Sequence, residues 1–441
     1  MAIQRNFWIA IFAFLLMVAG DLYFHHMIFS RFAYLTGFLI VTGAIWTRIS
    51  INGIEFKRSS KDTRFECGQI FEENYEIINN SIYPKIWVRV DDQSDLPSKP
   101  ASRVVTHIKP HQKRYFQTLL ILANRGEFDL GATEISCGDP FGFFLIRRIF
   151  HSDRKILVFP LFFALEGIYA PHGSLSGGKA HRESIMDATP NASGVRDYRP
   201  GDPLNRIHWR TSVRKQRWFV REFDQDPQSN LWIFLDGYKK NHFHIVVKDI
   251  TSRLQSREAH SYKPDRILPK DNFEYGVCIA ASLSQHFLKE GRALGLICAG
   301  QQYLSLPPEK GERQIIKILE NLSYIMPSGN LPFSVLLQTN SDMITKGNSV
   351  ILITSSRKFE IRSALDILIR KGIPIIMIFI DPISFGATLG SDYSDLPDQY
   401  FRIPSLIIKS DEDLSKSINS QLWGIDWRNQ HQYPEYIQQT Q

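Results

Sequence analysis

Two uncharged apolar stretches open the chain and are typical of helices that cross a bilayer. They cover residues 7–20 and 32–47, with a polar break at residues 21–31 between them. Each stretch is shorter than the ~20 residues that span a membrane, but the apolar residues beside it bring both close to that length. We therefore predict a transmembrane hairpin over residues 1–52, with Asp21 near a membrane surface. A cleaved signal peptide and a buried helical hairpin of a soluble protein are the competing interpretations.

Between residues 50 and 150, apolar and polar positions alternate with a period of two. Ile86, Val88 and Val90 show the pattern, and Asn, Pro and Gly residues divide it into short segments. Such alternation is typical of strands with one buried face. We predict an antiparallel, β-sandwich-like domain over residues 53–170. A dense turn signal lies within it and consists of Asp139, Pro140, Phe141 and Gly142.

A third pattern begins with the uninterrupted apolar run of residues 231–235, which ends at Asp236. A strand of this composition is buried on both faces. After it, apolar and amphipathic segments alternate, which is typical of βαβ units in a doubly wound parallel sheet. The predicted strands are 293–299, 350–354 and 374–380, and the predicted helices are 276–290, 309–324 and 359–371.

The fold class is therefore α/β plus β, with a helical hairpin in front. The α/β domain covers residues 231–425. Residues 171–230 connect it to the β domain, and residues 426–441 form a polar tail.

The composition is that of a globular protein. Of the 441 residues, 43% are hydrophobic and 22% are charged, which excludes disordered and collagenous chains. The four cysteines form no Cys-x-x-Cys pair, so a disulfide scaffold and a structural zinc module are not indicated. Cys278 lies on the apolar face of a predicted helix, and we expect it to be a buried thiol rather than a nucleophile.

The chain carries a net charge of +7. Its basic residues are dense after the second apolar stretch, whereas the connection between the two stretches contains only Arg31. The positive-inside rule then places both ends of the hairpin and the bulk of the chain in the cytoplasm. The net charge indicates a face near anionic lipid or an acidic partner, and the sequence contains no recognisable nucleic-acid module. The basic residues after the second stretch are Arg48, Lys57, Arg58, Lys61 and Arg64.

Much of the excess positive charge lies in residues 196–222, where eight Lys or Arg stand against three Asp or Glu. Aromatic residues are interleaved with these charges, an arrangement in which the rings pack while the charged groups form pairs. A pair between Asp202 and Arg196 or Arg206 would fix the Pro-Gly turn beside it. We predict that this segment is a structural clasp that joins the β domain to the α/β domain.

The same segment resembles the signature of a bacterial family named domain of unknown function 58. The matching positions are Arg196, Tyr198, Gly201, Asp202, Arg206, Trp209 and Arg214. The resemblance extends upstream to Arg125 and Gly126, to the turn at residues 139–142 and to the order of the domains. It implies a C-terminal domain similar to the von Willebrand factor type A domain and a place in the bacterial inner membrane. It also implies a MoxR-type AAA+ ATPase as partner, whereas the family has no established reaction.

Type A domains bind a divalent cation through an Asp-x-Ser-x-Ser loop after the first strand. Here that loop begins with Asp236, but Tyr238 and Lys240 replace the two serines. Lysines at such a site repel a cation, so the sequence predicts no metal there. We expect Asp236 to cap backbone N–H groups at the end of its strand.

Residues 173–180 nearly match a phosphate-binding Walker A loop. Ala180 lacks the hydroxyl group that would hold magnesium, and no apolar helix pattern follows. The sequence therefore predicts a flexible glycine-rich loop, no cofactor and no identifiable small-molecule substrate.

The function that these observations favour is non-enzymatic. We predict a membrane-anchored, cytoplasm-facing scaffold or adaptor whose α/β domain presents a surface to a protein. The alternative is a membrane-bound hydrolase or transferase in cell-envelope metabolism, for which Asp202, His208 and Asp236 are the candidate residues.

Overall fold

Two long apolar helices come first in the structure. A computed structural model describes residues 1–97, 102–165, 192–198, 207–223, 230–245, 270–356, 360–387, 403–410 and 412–422. Helix α1 is Arg5–Phe24 and helix α2 is Met27–Ser50. Both are long and apolar enough to cross a membrane, and the apolar window of α1 is 0% buried inside the molecule while that of α2 is 11% buried. Two helices were predicted here, with residues 21–24 added to the first span, and these residues end α1. Residues 27–31 begin α2, so the break between the helices is only His25 and His26.

The β domain consists of three sheets. Their strand orders are β1-β10-β9-β5-β6, β2-β4-β7 and β3-β11-β8. Every pair is antiparallel except β3 with β11. The strands are β1 (Ala2–Ile3), β2 (Ile54–Ser60), β3 (Arg64–Glu66), β4 (Ile70–Asn79), β5 (Lys85–Asp92), β6 (Arg103–Ile108), β7 (Lys113–Ile121), β8 (Gly126–Asp129), β9 (Thr133–Gly138), β10 (Phe144–Phe150) and β11 (Lys155–Phe159).

Alternating residues of these strands form the core that the sequence pattern predicts. Ile77 of β4 and Val88 of β5 belong to one buried cluster, although their strands lie in different sheets. The apolar faces of the two sheets therefore meet. A second cluster around Phe71 and Val158 covers the other end of β4.

The segment with the family signature forms a ribbon and a short helix. Strand β12 (Ala192–Asp197) pairs antiparallel with β13 (Phe219–Phe223), and helix α3 (Trp209–Lys215) lies between them in the chain. The glycine-rich loop at residues 173–180 lies outside the described residues.

The α/β domain is built on one six-stranded sheet with the order β16-β15-β14-β17-β18-β19. All neighbours are parallel except β16, which pairs antiparallel with β15 at one edge. Its strands are β14 (Leu231–Leu235), β15 (Leu294–Ala299), β16 (Tyr303–Glu309), β17 (Ser349–Thr354), β18 (Ile375–Ile380) and β19 (Ser405–Ile408). Its helices are α4 (Asn272–Lys289), α5 (Glu312–Tyr324), α6 (Phe333–Asn340), α7 (Glu360–Arg370) and α8 (Leu414–Leu422).

Strand β14 is buried on both faces, as its uninterrupted apolar sequence predicts. Ile233 and Leu235 pack into one core cluster, and Trp232 and Phe234 pack into the cluster on the opposite face. Helices therefore cover both sides of the sheet.

The edge strand β16 corrects the prediction of an entirely parallel sheet. It contains Pro307 and Pro308, which interrupt any sequence pattern for a strand. Proline is tolerated at the edge of a sheet, where a backbone N–H can be dispensed with. The predicted helix at 309–324 consequently begins later, at Glu312.

Candidate functional site

The carboxyl ends of β14 and β17 form the point where the sheet changes direction. From β14 the chain moves to β15 on one side, and β17 lies on the other side. Ligands of open α/β sheets bind outside the carboxyl ends of strands at such a point. Asp236 directly follows β14, and Thr354 is the last residue of β17.

Asp236 accepts hydrogen bonds from protein groups at both carboxylate oxygens. Its Oδ1 accepts from the Tyr238 backbone N–H at 3.1 Å, which agrees with the predicted capping role. Its Oδ2 accepts from Asn241 Nδ2 at 2.9 Å and from Thr354 Oγ1 at 2.6 Å. Burial raises the pKa of the Asp236 carboxyl, although these hydrogen bonds oppose the shift.

Asn272 closes this network from the side of helix α4. Its Nδ2 donates to the Asn241 carbonyl at 2.6 Å and to Ser355 Oγ at 2.8 Å. The cavity beside these groups has a volume of about 10 Å³, which is enough for about one water molecule. The lining residues include Asp236, Tyr238, His242, Asn272, Thr354 and Ser355.

The donor set does not fit the divalent cation that the family resemblance implies. Both oxygens of Asp236 already accept from N–H and O–H groups, and the following lysines, Lys239 and Lys240, are exposed. No three His, Cys, Asp or Glu side chains of the described ranges come together as metal ligands. The network is therefore built as a hydrogen-bonded closure of the sheet.

A histidine and an aspartate lie at the rim of the same cavity. His242 Nε2 is 2.7 Å from Asp271 Oδ2. Asp271 also begins helix α4, because its Oδ1 accepts from the backbone N–H groups of Phe273 and Glu274. Sequence reasoning missed this pair. The Asp-Asn dipeptide before an apolar helix is an N-cap signal and points to Asp271, but no pattern points to His242.

Arg125 of the β domain contacts this end of the α/β domain. Its side chain is 3% exposed and forms an ion pair with Glu274. Its Nη2 donates to the Ile325 carbonyl at 2.7 Å, and its guanidinium lies over the Phe273 ring. Burial raises the pKa of Glu274, although Arg125 opposes the shift.

Further contacts between the two domains surround Arg125. The Phe163 backbone N–H donates to Ser282 Oγ at 3.1 Å, and Tyr324 donates to Glu127 at 2.9 Å. Within the described ranges these residues join the two domains, and the joining role predicted for the signature stays a prediction.

The turn at residues 139–142 lies against the two N-terminal helices. Buried Asp139 accepts from the backbone N–H groups of Phe141, Phe143 and Phe144 at 2.9, 3.1 and 2.6 Å. A Cβ atom on Gly43 of α2 would lie 3.5 Å from the Asp139 carboxyl carbon. Gly142 has a φ of 71°, which suits glycine, and Pro140 lies in the turn beside it.

The same turn also binds the segment just before the N-terminal end of α1. The Gln4 backbone N–H donates to the Phe143 carbonyl at 2.9 Å. At the exit of α2, buried Lys85 donates from Nζ to the carbonyls of Ile49 and Asn52 at 3.1 and 2.7 Å. Both helix ends are therefore fixed to the β domain.

The signature is described only in part. Arg196 lies in β12, whereas Gly201, Asp202 and Arg206 lie outside the described residues. Trp209 and Arg214 are on α3, and the Tyr198 ring lies 5.8 Å from the Trp218 ring. The clasp predicted for Asp202 stays a prediction.

His208 has a structural role in this segment. It caps α3, since its Nδ1 accepts from the Thr211 backbone N–H at 3.2 Å. Asp236, the second described member of the predicted catalytic group, belongs to the network at the sheet. The third member, Asp202, lies outside the described residues, so the predicted group stays a prediction.

A family model agrees with the part of the chain that carries the signature. The model described as protein of unknown function DUF58 matches residues 194–256. The Uncharacterized protein YeaD of Bacillus subtilis is 22% identical over 203 residues, which are 45% of this chain and 42% of the relative. Over these residues the chain is similar to the DUF58 family. The chain spans less than half of the length of that relative.

Solved structures resemble this chain only weakly. The C-terminal domain of wzt is 11% identical, covers 24% of this chain and 73% of its own, and has a TM-score of 0.18. Proximal thread matrix protein 1 of the mussel byssus is 14% identical over 44% of this chain and 47% of its own, with a TM-score of 0.27. A β-glucosidase of Listeria innocua covers 24% of this chain and 16% of its own, is 14% identical and has a TM-score of 0.17. Scores this low assign neither a fold nor a function.

The matched DUF58 segment begins inside β12 and includes α3, β13 and β14. It therefore contains Asp236 and His242 as well as the signature. Arg125 and the Asp139 turn lie upstream of it, although the structure places both at joints between parts of the molecule.

Proposed function

We propose that the protein is a membrane-anchored, cytoplasm-facing scaffold or adaptor whose α/β domain presents a surface to another protein. One observation carries this proposal. At the point of the sheet where a substrate would bind, Asp236 is engaged by Tyr238, Asn241 and Thr354, and the cavity beside it holds about 10 Å³. This engagement of Asp236 by the protein's own groups supports a contact surface at this position over a substrate site.

The anchor supports the location at a membrane. Helix α1 has no buried residue, and its apolar side chains face outward. A bilayer around the helix would keep these apolar side chains out of water. We further propose that the membrane is the bacterial inner membrane, that the β half is sandwich-like and that the α/β half is similar to the von Willebrand factor type A domain.

The docking surface lies beside the Asp236 network. Lys239 and Lys240 are exposed there, and the Lys239 backbone N–H donates to the Gly329 carbonyl at 3.0 Å. The loop that contains Gly329 also carries Met326, whose side chain is exposed. The surface is thus basic, and it suits an acidic protein face. On the family resemblance, we propose that a MoxR-type AAA+ ATPase supplies that face.

Binding of the purified ATPase to the full chain tests this proposal. The chain is placed in lipid nanodiscs, and a purified MoxR-type ATPase is titrated in. We expect saturable binding that the double variant Lys239→Glu, Lys240→Glu weakens by about tenfold or more. The matched control is Lys346→Glu, because Lys346 is exposed and precedes β17 at the opposite end of the sheet. Equal binding by both variants, or no binding above empty nanodiscs, would overturn the proposal.

The alternative of a membrane-bound hydrolase or transferase in cell-envelope metabolism now has different candidate residues. His242 and Asp271 form a close pair at the cavity rim, and such a pair can act in acid-base catalysis. The discriminating experiment incubates membrane extracts with wild-type protein and with His242→Gln, then compares small molecules by mass spectrometry. A product that forms only with wild-type protein favours the enzyme, and identical extracts favour the adaptor.

A further inference from the structure

Three large apolar side chains are exposed together on the signature segment. Trp209 is 61% exposed, Val213 is 75% exposed and Trp218 is 53% exposed. Trp209 and Val213 are one turn apart on α3, and the rings of Trp209 and Trp218 lie 5.9 Å apart. Apolar groups that are clustered in this way mark a site of contact with another molecule.

Basic side chains accompany these apolar groups. Arg210, Arg214, Lys215 and Arg217 are all exposed, and residues 207–220 contain no Asp or Glu. We call the seven residues the aromatic–arginine face. Arginine forks can bind carboxylates through two parallel hydrogen bonds, so the face is complementary to an acidic chain.

The backbone holds this face in place. Ser212 Oγ accepts from the Phe219 backbone N–H at 2.8 Å, and His208 caps the helix. Ile207 pairs with Val220 in an isolated bridge, and both residues are buried. A face that is ordered before binding loses less entropy when a partner arrives.

We propose that the aromatic–arginine face binds an acidic protein segment that packs an apolar residue against the rings of Trp209 and Trp218. Trp and Arg dominate the energetic centres of protein interfaces, whereas Lys is depleted there. Three of the four cations on this face are arginines, so its composition favours a protein over an anionic bilayer. This second surface is separate from the one beside Asp236, and it goes beyond the proposed function.

Photo-crosslinking of the full chain in living cells tests the proposal. The crosslinking amino acid p-benzoylphenylalanine replaces Val213, and in a control chain it replaces Ile82, which is 70% exposed in the β domain. We expect a protein adduct at position 213 whose crosslinked peptide is rich in Asp and Glu. The substitutions Arg210→Glu and Arg214→Glu together should reduce its yield by about tenfold. An unchanged thermal unfolding midpoint of this variant verifies that it folds.

Several results would overturn the proposal. One is an adduct yield at position 213 that is no higher than the yield at position 82, and another is an adduct with lipid. The others are a crosslinked peptide that is not enriched in Asp and Glu, and an adduct yield that the Glu substitutions leave unchanged. An adduct with an acidic segment of any protein supports this face, whichever protein binds at Lys239 and Lys240. Failure of the ATPase to bind through Lys239 and Lys240 would remove only the proposed function.

Discussion

Arg58 lies inside the β domain between two carboxylates. Its guanidinium pairs with Glu73 and reaches the two oxygens of Asp92 at 3.0 and 3.1 Å. It also donates to the Leu130 carbonyl at 2.7 Å. From the sequence, Arg58 counts among the cations that orient the hairpin. Its charge is instead compensated inside the protein, so the charge asymmetry across the membrane rests on its neighbours.

Replacement of Arg58 by Met should destabilise the protein strongly. Glu73 and Asp92 would remain buried without their cation, a loss that typically costs ~3–5 kcal/mol. The thermal unfolding midpoint of the full chain in detergent measures the effect. The control is Lys57→Met, because Lys57 is the preceding cation and its side chain is 59% exposed. Equal midpoints for the two variants would contradict the structural role of Arg58.

The raised pKa of Asp236 predicts how stability depends on pH. A carboxyl group whose pKa is higher in the folded than in the unfolded chain stabilises the fold below its ordinary pKa, and this contribution is lost as the pH rises through the raised value. Burial is the cause of the shift. Wild-type protein should therefore gain stability relative to Asp236→Asn as the pH falls from 7 toward about 4.

Urea unfolding midpoints of both proteins across this pH range test the prediction. At neutral pH the variant should still be the less stable one by ~1–3 kcal/mol, because its amide cannot accept from all three donors of Asp236. A difference between the two proteins that stays constant with pH would show that the carboxyl does not titrate abnormally.

At the scale of single elements, the turn at residues 139–142 shows what a local pattern reveals and what it omits. Its density of Asp, Pro and Gly identifies a turn without reference to the rest of the chain. The contact between Asp139 and Gly43 depends on how α2 packs against β9 and β10, and no local pattern encodes that packing.

Asp139→Ala should loosen the joint between the anchor and the β domain. Three backbone N–H groups, those of Phe141, Phe143 and Phe144, would lose their acceptor. Each unsatisfied buried group costs ~1–3 kcal/mol, so we expect a large fall in the unfolding midpoint of the full chain. Asp139→Asn retains one acceptor oxygen and should lie in between. Exposed Asp153 follows β10, and Asp153→Ala serves as the control; a fall of equal size there would contradict the capping role.

Short elements escape sequence reasoning for related reasons. Helix α6 has 8 residues and β19 has 4, too few to establish a hydrophobic period. Helix α4 has 18 residues, and β14 and β15 lie in uninterrupted apolar runs, so their predicted positions agree with the structure to within a few residues. The switch-point position of Asp236 follows from that pattern, whereas Asn241 and Thr354 join the network only through the tertiary fold.

At the scale of the whole molecule, the two halves meet through Arg125. Sequence reasoning noted this residue only as part of a resemblance and assigned the joining role to Asp202. An isolated arginine before a glycine carries no sign of its partner, since Glu274 lies far away in the chain. The contact becomes visible only when helix α4 is placed beside the loop that precedes β8.

A double-mutant cycle measures this joint. Arg125→Met leaves Glu274 buried without its cation and should cost ~3–5 kcal/mol. Glu274→Gln removes that charge, so the double variant should be more stable than the sum of the single effects by ~0.5–3 kcal/mol. Unfolding midpoints of the full chain provide the four values. Strictly additive effects would contradict the coupling between Arg125 and Glu274.

The orientation of the molecule follows from the joints at both ends of the hairpin. Gln4 and Ile49 each contact the β domain, so the entry of α1 and the exit of α2 lie on the side of that domain. Arg5, Arg48 and Lys57 lie on this side, whereas Arg31 lies in the first turns of α2 near the opposite end. Cations accumulate on the cytoplasmic side of bacterial membranes.

We therefore expect the β and α/β domains to be cytoplasmic. A green fluorescent protein fused after Gln441 should fluoresce, and alkaline phosphatase at the same position should be inactive. Alkaline phosphatase inserted between His25 and His26 should be active, because this connection would face the other side of the membrane. Active phosphatase after Gln441 would show the opposite orientation, and it would exclude a cytoplasmic ATPase as a partner. Loss of residues 1–20 from the purified chain would instead identify α1 as a cleaved signal peptide.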